Sequence, residues 1–281
     1  MSKYYYLIAG LPELALEDNK LNFTIDSFKA ELYPELSKRD KKLIDLYYLQ
    51  YDNQNLLALI SDKEAALERE GVYGAEELLR LIECVKLGEE KIKGNYPKYF
   101  ITFLEKYFSE ESIDPVKAEN MIVGMYLDFA MSNRNKFIAE WYQFNALLNN
   151  LQIALIGRKY QQEYQSQIIG NDVVSSQIRQ SSARDFGLST TIDFLPNLMR
   201  IIEEENLLLR EKKIDALKWS WMEDKIFFDY FTIERVFVFL LQIDMIERWL
   251  QLDSEEGNRY FREIIDSLKN QVQITEEFRK N

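Results

Sequence analysis

Apolar and polar positions recur at helical spacing from Asp26 onward, and the longest uncharged run, residues 141–157, reads WYQFNALLNNLQIALIG. As a helix this run places Leu147, Leu148, Leu151 and Leu155 on one stripe and Asn145, Asn149 and Gln152 on another. A bilayer core asks for about 20 mostly apolar residues. This run is shorter and carries five amides, Gln143, Asn145, Asn149, Asn150 and Gln152, each of which would need an internal partner in lipid. Neutral amides can be buried cheaply when hydrogen-bonded. The pattern therefore predicts a central helix packed on two faces against the rest of the chain or a partner, and no membrane span.

Flanking signals predict further helices. Asp26 and Ser37 read as N-caps, and the segment after Ser37 turns Leu43, Leu46 and Tyr47 to one face. Asp114 before Pro115 marks a helix start, since proline in the first helical position loses no hydrogen bond. That helix is expected to carry Ile122, Met125, Tyr126 and Phe129 inward. Toward the C-terminus Ile233, Val236, Phe237, Leu240 and Leu241 follow the helical period while Val238, Phe239 and Ile243 fill the other side, predicting burial almost all round. Residues 161–191, rich in Gln, Ser and Asn, predict a loop or interdomain hinge with some helical parts. Residues 203–205, all Glu, predict a solvated helix face, and residues 4–14 belong to the fold. Trp219 and Trp221 fall about 200° apart on a helix, so either one turns outward or both pack in the core.

Composition narrows the class. Only 10 Gly and 5 Pro in 281 residues leave few tight turns, which favours an all-α fold. A net charge of −12 argues against nucleic acid and anionic lipid, and suits a basic protein partner. The absence of His removes Ser-His-Asp and Cys-His catalysis and His-ligated metals, leaving carboxylate, Lys, Tyr or Ser chemistry. A single Cys84 builds neither a disulfide framework nor a thiolate metal site, and fits a reducing, cytoplasmic setting. Asp185-Phe186-Gly187 has no HRD loop upstream and is a chance tripeptide. No catalytic, cofactor-binding or metal-binding residue is assigned.

One stretch, NDVVSSQIR at residues 171–179, resembles the second metal-binding motif of class I terpene synthases, with Asn171 and Ser175 on the motif and Arg259-Tyr260 like the pair expected downstream. Arg179, however, stands where that family needs Glu, a cation cannot ligate magnesium, and the Asp-rich first motif is missing. A polar loop is the better account. A magnesium-dependent prenyl diphosphate enzyme and a free-standing helical scaffold remain the alternatives to the function expected below.

Three segments are alike: DNQNLLALI at 52–60, LLNNLQIALI at 147–156 and DMIERWLQL at 244–252. Aligned on Asn55, Asn150 and Arg248 they stand 95 and 98 residues apart, close to a third of the 281 residues. This pattern resembles the central-stalk C subunit of bacterial and archaeal V/A-type ATPases, the counterpart of the eukaryotic V-ATPase d subunit, whose three lobes each contain an Asp/Glu-x-x-Asn-Leu helix with a basic end. Asp52, Asn55 and Leu56 match in the first segment, Asn150, Leu151, Arg158 and Lys159 in the second, and Glu247 and Arg248 in the third, which lacks the basic end. KYYYLIAGLPEL at residues 3–14 is similar to the opening of a bacterial family of uncharacterised proteins encoded among V-type ATPase subunits. The resemblance implies three pseudo-repeated helical lobes, 1–110, 111–190 and 191–281, forming a funnel-like socket. Asn55, Leu56, Asn150, Leu151, Arg248 and Trp249 would be lobe-core positions. It further implies a non-catalytic, cofactor-free central-stalk adaptor that transmits torque between ATP hydrolysis and ion movement. Its partners would be the central-stalk subunits and the membrane rotor ring, and it would be cytoplasmic, peripheral to the inner face of the membrane. It assigns no interface residue.

Overall fold

The computed structural model describes residues 4–252 except 68, 90, 91, 111 and 112. Every regular element among the described residues is helical, with no strand. In chain order the helices are α1 (Tyr5–Ala9), α2 (Ile25–Ser27), α3 (Lys38–Ser61), α4 (Ala75–Lys86), α5 (Lys98–Ser109), α6 (Pro115–Met131), α7 (Lys136–Lys159), α8 (Val173–Gln180), α9 (Leu195–Ile202), α10 (Leu207–Ile226) and α11 (233–252). The described residues form two compact units, 36–225, and 4–35 with 226–252. No helix among the described residues is long and apolar enough to cross a membrane.

In the larger unit α3 packs on α4 and α6, α5 joins α4 and α6, and α7 is covered by α6, α8 and α9. Ser37 starts α3 as expected, its hydroxyl accepting the Asp40 N–H at 3.3 Å. Asp114 starts α6, accepting the Lys117 N–H at 3.1 Å with Pro115 in the first turn. The inner stripe of α6 is Ala118, Ile122, Tyr126 and Ala130, four apart, with Met125 half-buried and Phe129 38% exposed. Phe129 was expected inside. The small Ala118 and Ala130 centre the contact on their own line, and Phe129 is left at its edge with its ring 5.4 Å from that of Tyr99. Tyr126 closes the contact: its hydroxyl donates to the Leu46 carbonyl of α3 at 2.8 Å and shares a 2.9 Å hydrogen bond with the Tyr142 hydroxyl of α7.

Helix α7 is buried along most of its length, through Phe137, Ile138, Trp141, Tyr142, Phe144, Leu148, Leu151 and Leu155. Its expected amide face is not: Asn149 is exposed and Asn145 and Gln152 are half-buried, as is Leu147 of the leucine stripe. The buried amide is Asn150, which finds backbone partners there. Trp219 and Trp221 of α10 are both half-buried, and Trp221 stacks on Phe144 at 4.8 Å with the rings 9° apart. Residues 161–191 lie within this unit and do not separate the two units; they contain α8 and bury Tyr164, Ile168, Ile178, Phe186 and Leu188. Glu203, Glu204 and Glu205 form the turn after α9, not a helix face, because α9 ends at Ile202.

In the smaller unit α2 is capped by Thr24, whose hydroxyl accepts the Ser27 N–H at 3.1 Å. Asp26 is thus not the cap; it sits in the first turn, where a carboxylate faces the positive helix end. The chain continues through a π-turn, Phe28–Leu32, and a 3-10 turn, Tyr33–Glu35. Residues 236–243 of α11 are buried without a break, as their periodicity predicts. The Glu247 carboxylate accepts the Ile25 N–H at 2.8 Å and ties α2 to α11. Tyr4 is buried, while Tyr6 is 91% exposed.

Candidate functional site

The two long helices α3 and α7, each 24 residues, hold the loop that follows them in the same way. On α3 the Asn55 amide donates to the Arg69 carbonyl at 3.0 Å. One turn earlier the buried Asp52 carboxylate accepts the N–H groups of Val72 and Tyr73 at 2.8 and 3.2 Å. Gly71 makes this approach possible, since a Cβ there would lie 2.1 Å from the Asp52 carboxylate. The loop then enters α4, where the Gly74 N–H donates to the Glu77 side chain at 3.2 Å. Beside it the Tyr73 hydroxyl donates to the Asn95 carbonyl at 2.6 Å, and burial, reinforced by the Asp52 charge, raises its pKa.

On α7 the Asn150 amide donates to the Ile169 carbonyl at 2.7 Å, and its oxygen accepts the Ile169 N–H at 2.9 Å. Gly170 follows at φ +94, a conformation open to glycine. Asp172 then caps α8, accepting the Val174 and Ser175 N–H groups at 2.9 and 3.0 Å and the Ser175 hydroxyl at 2.5 Å. Burial alone would raise the Asp172 pKa; the hydrogen bonds from Ser175 and Val174 outweigh it and hold the carboxyl below its ordinary value. Each anchor thus joins a long helix, a loop clasped by a buried asparagine, a close-packed glycine and a second helix.

Of the lobe-core positions expected from sequence, Asn55, Leu56, Asn150, Leu151 and Trp249 are buried. Arg248 is exposed, its guanidinium 5.8 Å from the Trp249 ring centre, because water solvates that charge better than a protein interior. Residues following α11 lie outside the described residues, as do Lys3, Arg259 and Tyr260.

A groove of about 440 Å³ opens between α6, α7 and residues 169–175, with Leu127, Met131 and Leu147 as its apolar walls and Asp128, Asn171 and Asp172 among its polar ones. Of the residues that resemble a magnesium motif, Asn171 is exposed on the groove wall, while Ser175 and Arg179 are otherwise engaged. Ser175 is bonded to Asp172 and the Ile169 carbonyl, and Arg179 donates to the carbonyls of Ile168 and Gly170. Among the described residues no three Asp, Glu, Cys or His side chains gather as a metal would require. Sequence reasoning named Asp52 only as a matched position of the first repeat, and did not find Gly71 or Asp172. The available signals were the Asp-x-x-Asn spacing on α3 and the Asp-x-x-Ser start of α8.

A sequence family described as "Protein of unknown function (DUF2764)" matches residues 1–272. No curated protein and no solved structure matches the chain.

Proposed function

The chain belongs to the DUF2764 family, and we propose that it acts as a non-catalytic central-stalk adaptor of a V/A-type ATPase, linking the rotor stalk to the membrane ring. The observation that carries this is the repeated anchor: Asn55 on Arg69 and Asn150 on Ile169, at the two segments whose sequences resemble successive lobes of the stalk socket in those ATPases. A torque-bearing part must be stiff, and interlocked helices packed at crystal-like density deform little. Clasped loops add to this, since each buried amide fixes a connection that would otherwise be the softest part of a helix pair. Such a part needs complementary surfaces and no reacting group. In this role the protein is cytoplasmic and peripheral to the inner face of the membrane through its partners.

The test is purification of the tagged protein from its native membranes in mild detergent, with co-purifying subunits identified by mass. Recovery of rotor-ring and central-stalk subunits is expected. Recovery of the protein alone, with an intact ATPase present in the same extract, would overturn the proposal and favour a free-standing scaffold.

A further inference from the structure

Although the chain carries a net charge of −12, a surface pocket of about 310 Å³ in the larger unit gathers Arg158, Lys159 and Arg184 against one carboxylate, Glu203, with Met199 and Ile202 in its apolar wall. The first two cations meet only neutral acceptors. Arg158 donates to the Tyr164 hydroxyl at 3.1 Å and to the Ala183 and Ser181 carbonyls at 2.5 Å each, with its guanidinium 3.9 Å from the Phe186 ring centre. Lys159 donates to the Ile202 carbonyl at 2.8 Å. Arg184 meets Glu203 at 3.5 Å, but both side chains are largely exposed and such a contact holds weakly.

Helix capping explains part of this arrangement, since Ile202 ends α9 and Ser181 follows α8. It does not explain Arg184, which ends no helix, nor why three cations converge in a strongly acidic chain. After these bonds Arg158 retains two of its five N–H donors and Lys159 two of its three. Three cations against one carboxylate leave two positive charges in the pocket.

We propose that this pocket is a binding site for a small phosphate-bearing molecule, with the phosphate among Arg158, Lys159 and Arg184 and the organic part against Met199 and Ile202. A phosphate monoester carries about −1.5 to −2 charges at pH 7 and three strong acceptor oxygens, which matches the surplus charge and the free donors. A carboxylate matches only half of that charge. Arginine forks also suit phosphate geometry. The exposed Glu203 is the competitor for Arg184 and swings aside when the ligand enters. The site stands independently of the rotary role.

The test uses the purified full chain titrated calorimetrically with phenyl phosphate, inorganic phosphate and benzoate. Phenyl phosphate is expected to saturate and to bind more tightly than inorganic phosphate. Lys159→Met with Arg184→Gln, which leaves the loop-holding Arg158 intact, should weaken it by roughly tenfold or more. Glu203→Gln should strengthen binding by removing the competitor, a gain that a misfolded variant cannot mimic. No saturation by about 10 mM phenyl phosphate, benzoate binding as tightly as phenyl phosphate, or indifference to both variants would overturn the site.

Discussion

Asn150 meets both hydrogen-bonding groups of Ile169, so its loss leaves the N–H unmet and the carbonyl with only the Ser175 hydroxyl at 3.2 Å. Asn150→Leu is expected to destabilise the larger unit by about 2–4 kcal/mol. Asn150→Asp should cost more at neutral pH, because it sets a buried anion against the Ile169 carbonyl. Urea unfolding of both variants decides this, and two wild-type midpoints would show that the clasp bears no load. Arg210 argues in the other direction. It is 7% exposed, and its Nε and Nη1 have no hydrogen-bond partner. Replacing a buried guanidinium that leaves two of its nitrogens unmet by an apolar chain of similar length removes a desolvation cost, so Arg210→Met should raise stability by about 1–3 kcal/mol. A lower melting temperature would contradict this. The resemblance marks Asn150 as a lobe-core position but names no partner for it, and nothing in the sequence marks Arg210. Asn150 reads as one of five amides on α7, and only the fold shows that Ile169 comes to it while Asn149 faces water.

At the scale of elements, Tyr99, Tyr126 and Tyr142 link α5, α6 and α7 in their interior, and burial raises all three pKa values. The unfolded chain loses these protons near pH 10, whereas the folded one keeps them, so the stabilisation is complete below that pH and is lost as pH rises toward the folded pKa values. Alkaline unfolding above about pH 10, with part of the tyrosine absorbance appearing only on unfolding, is the expected result. Complete tyrosine ionisation while the helices stay folded would refute it. Gly157 supplies a second element-scale prediction. In a helix Ala is preferred to Gly by about 1 kcal/mol, but a Cβ here would lie 2.8 Å from the Tyr164 ring and its Cβ. Gly157→Ala should therefore lower the melting temperature of the larger unit. The helices themselves were legible, because apolar period and the caps at Ser37 and Asp114 are local properties. Which flank of a helix is buried was less so: on α6 the choice between Phe129 and Ala130 depends on how closely α5 and α3 approach.

For the whole molecule, the all-helical class followed from scarce Gly and Pro, but the completion of the smaller unit by residues 226 onward did not, since no local pattern says which distant segment closes a core. Ile25 and Glu247 meet across 222 positions of sequence. That unit also leaves Tyr6 91% and Phe228 85% exposed, on a chain whose net charge is −12. Charge and ring contacts respond differently to salt. Long-range attraction between an acidic surface and a basic partner falls within about 10 Å at 0.1 M salt, so it acts mainly on the rate of encounter. Buried aromatic contacts are little screened and act mainly on the rate of escape. For the proposed adaptor, association with isolated stalk and ring subunits should slow as salt rises, while dissociation changes little. Tyr6→Ser with Phe228→Ser should leave stability within about 0.5 kcal/mol and speed dissociation without altering the salt dependence of association. Surface-plasmon kinetics at two salt concentrations separate the terms. Binding unchanged by both salt and the aromatic substitutions would move the contact away from these surfaces altogether.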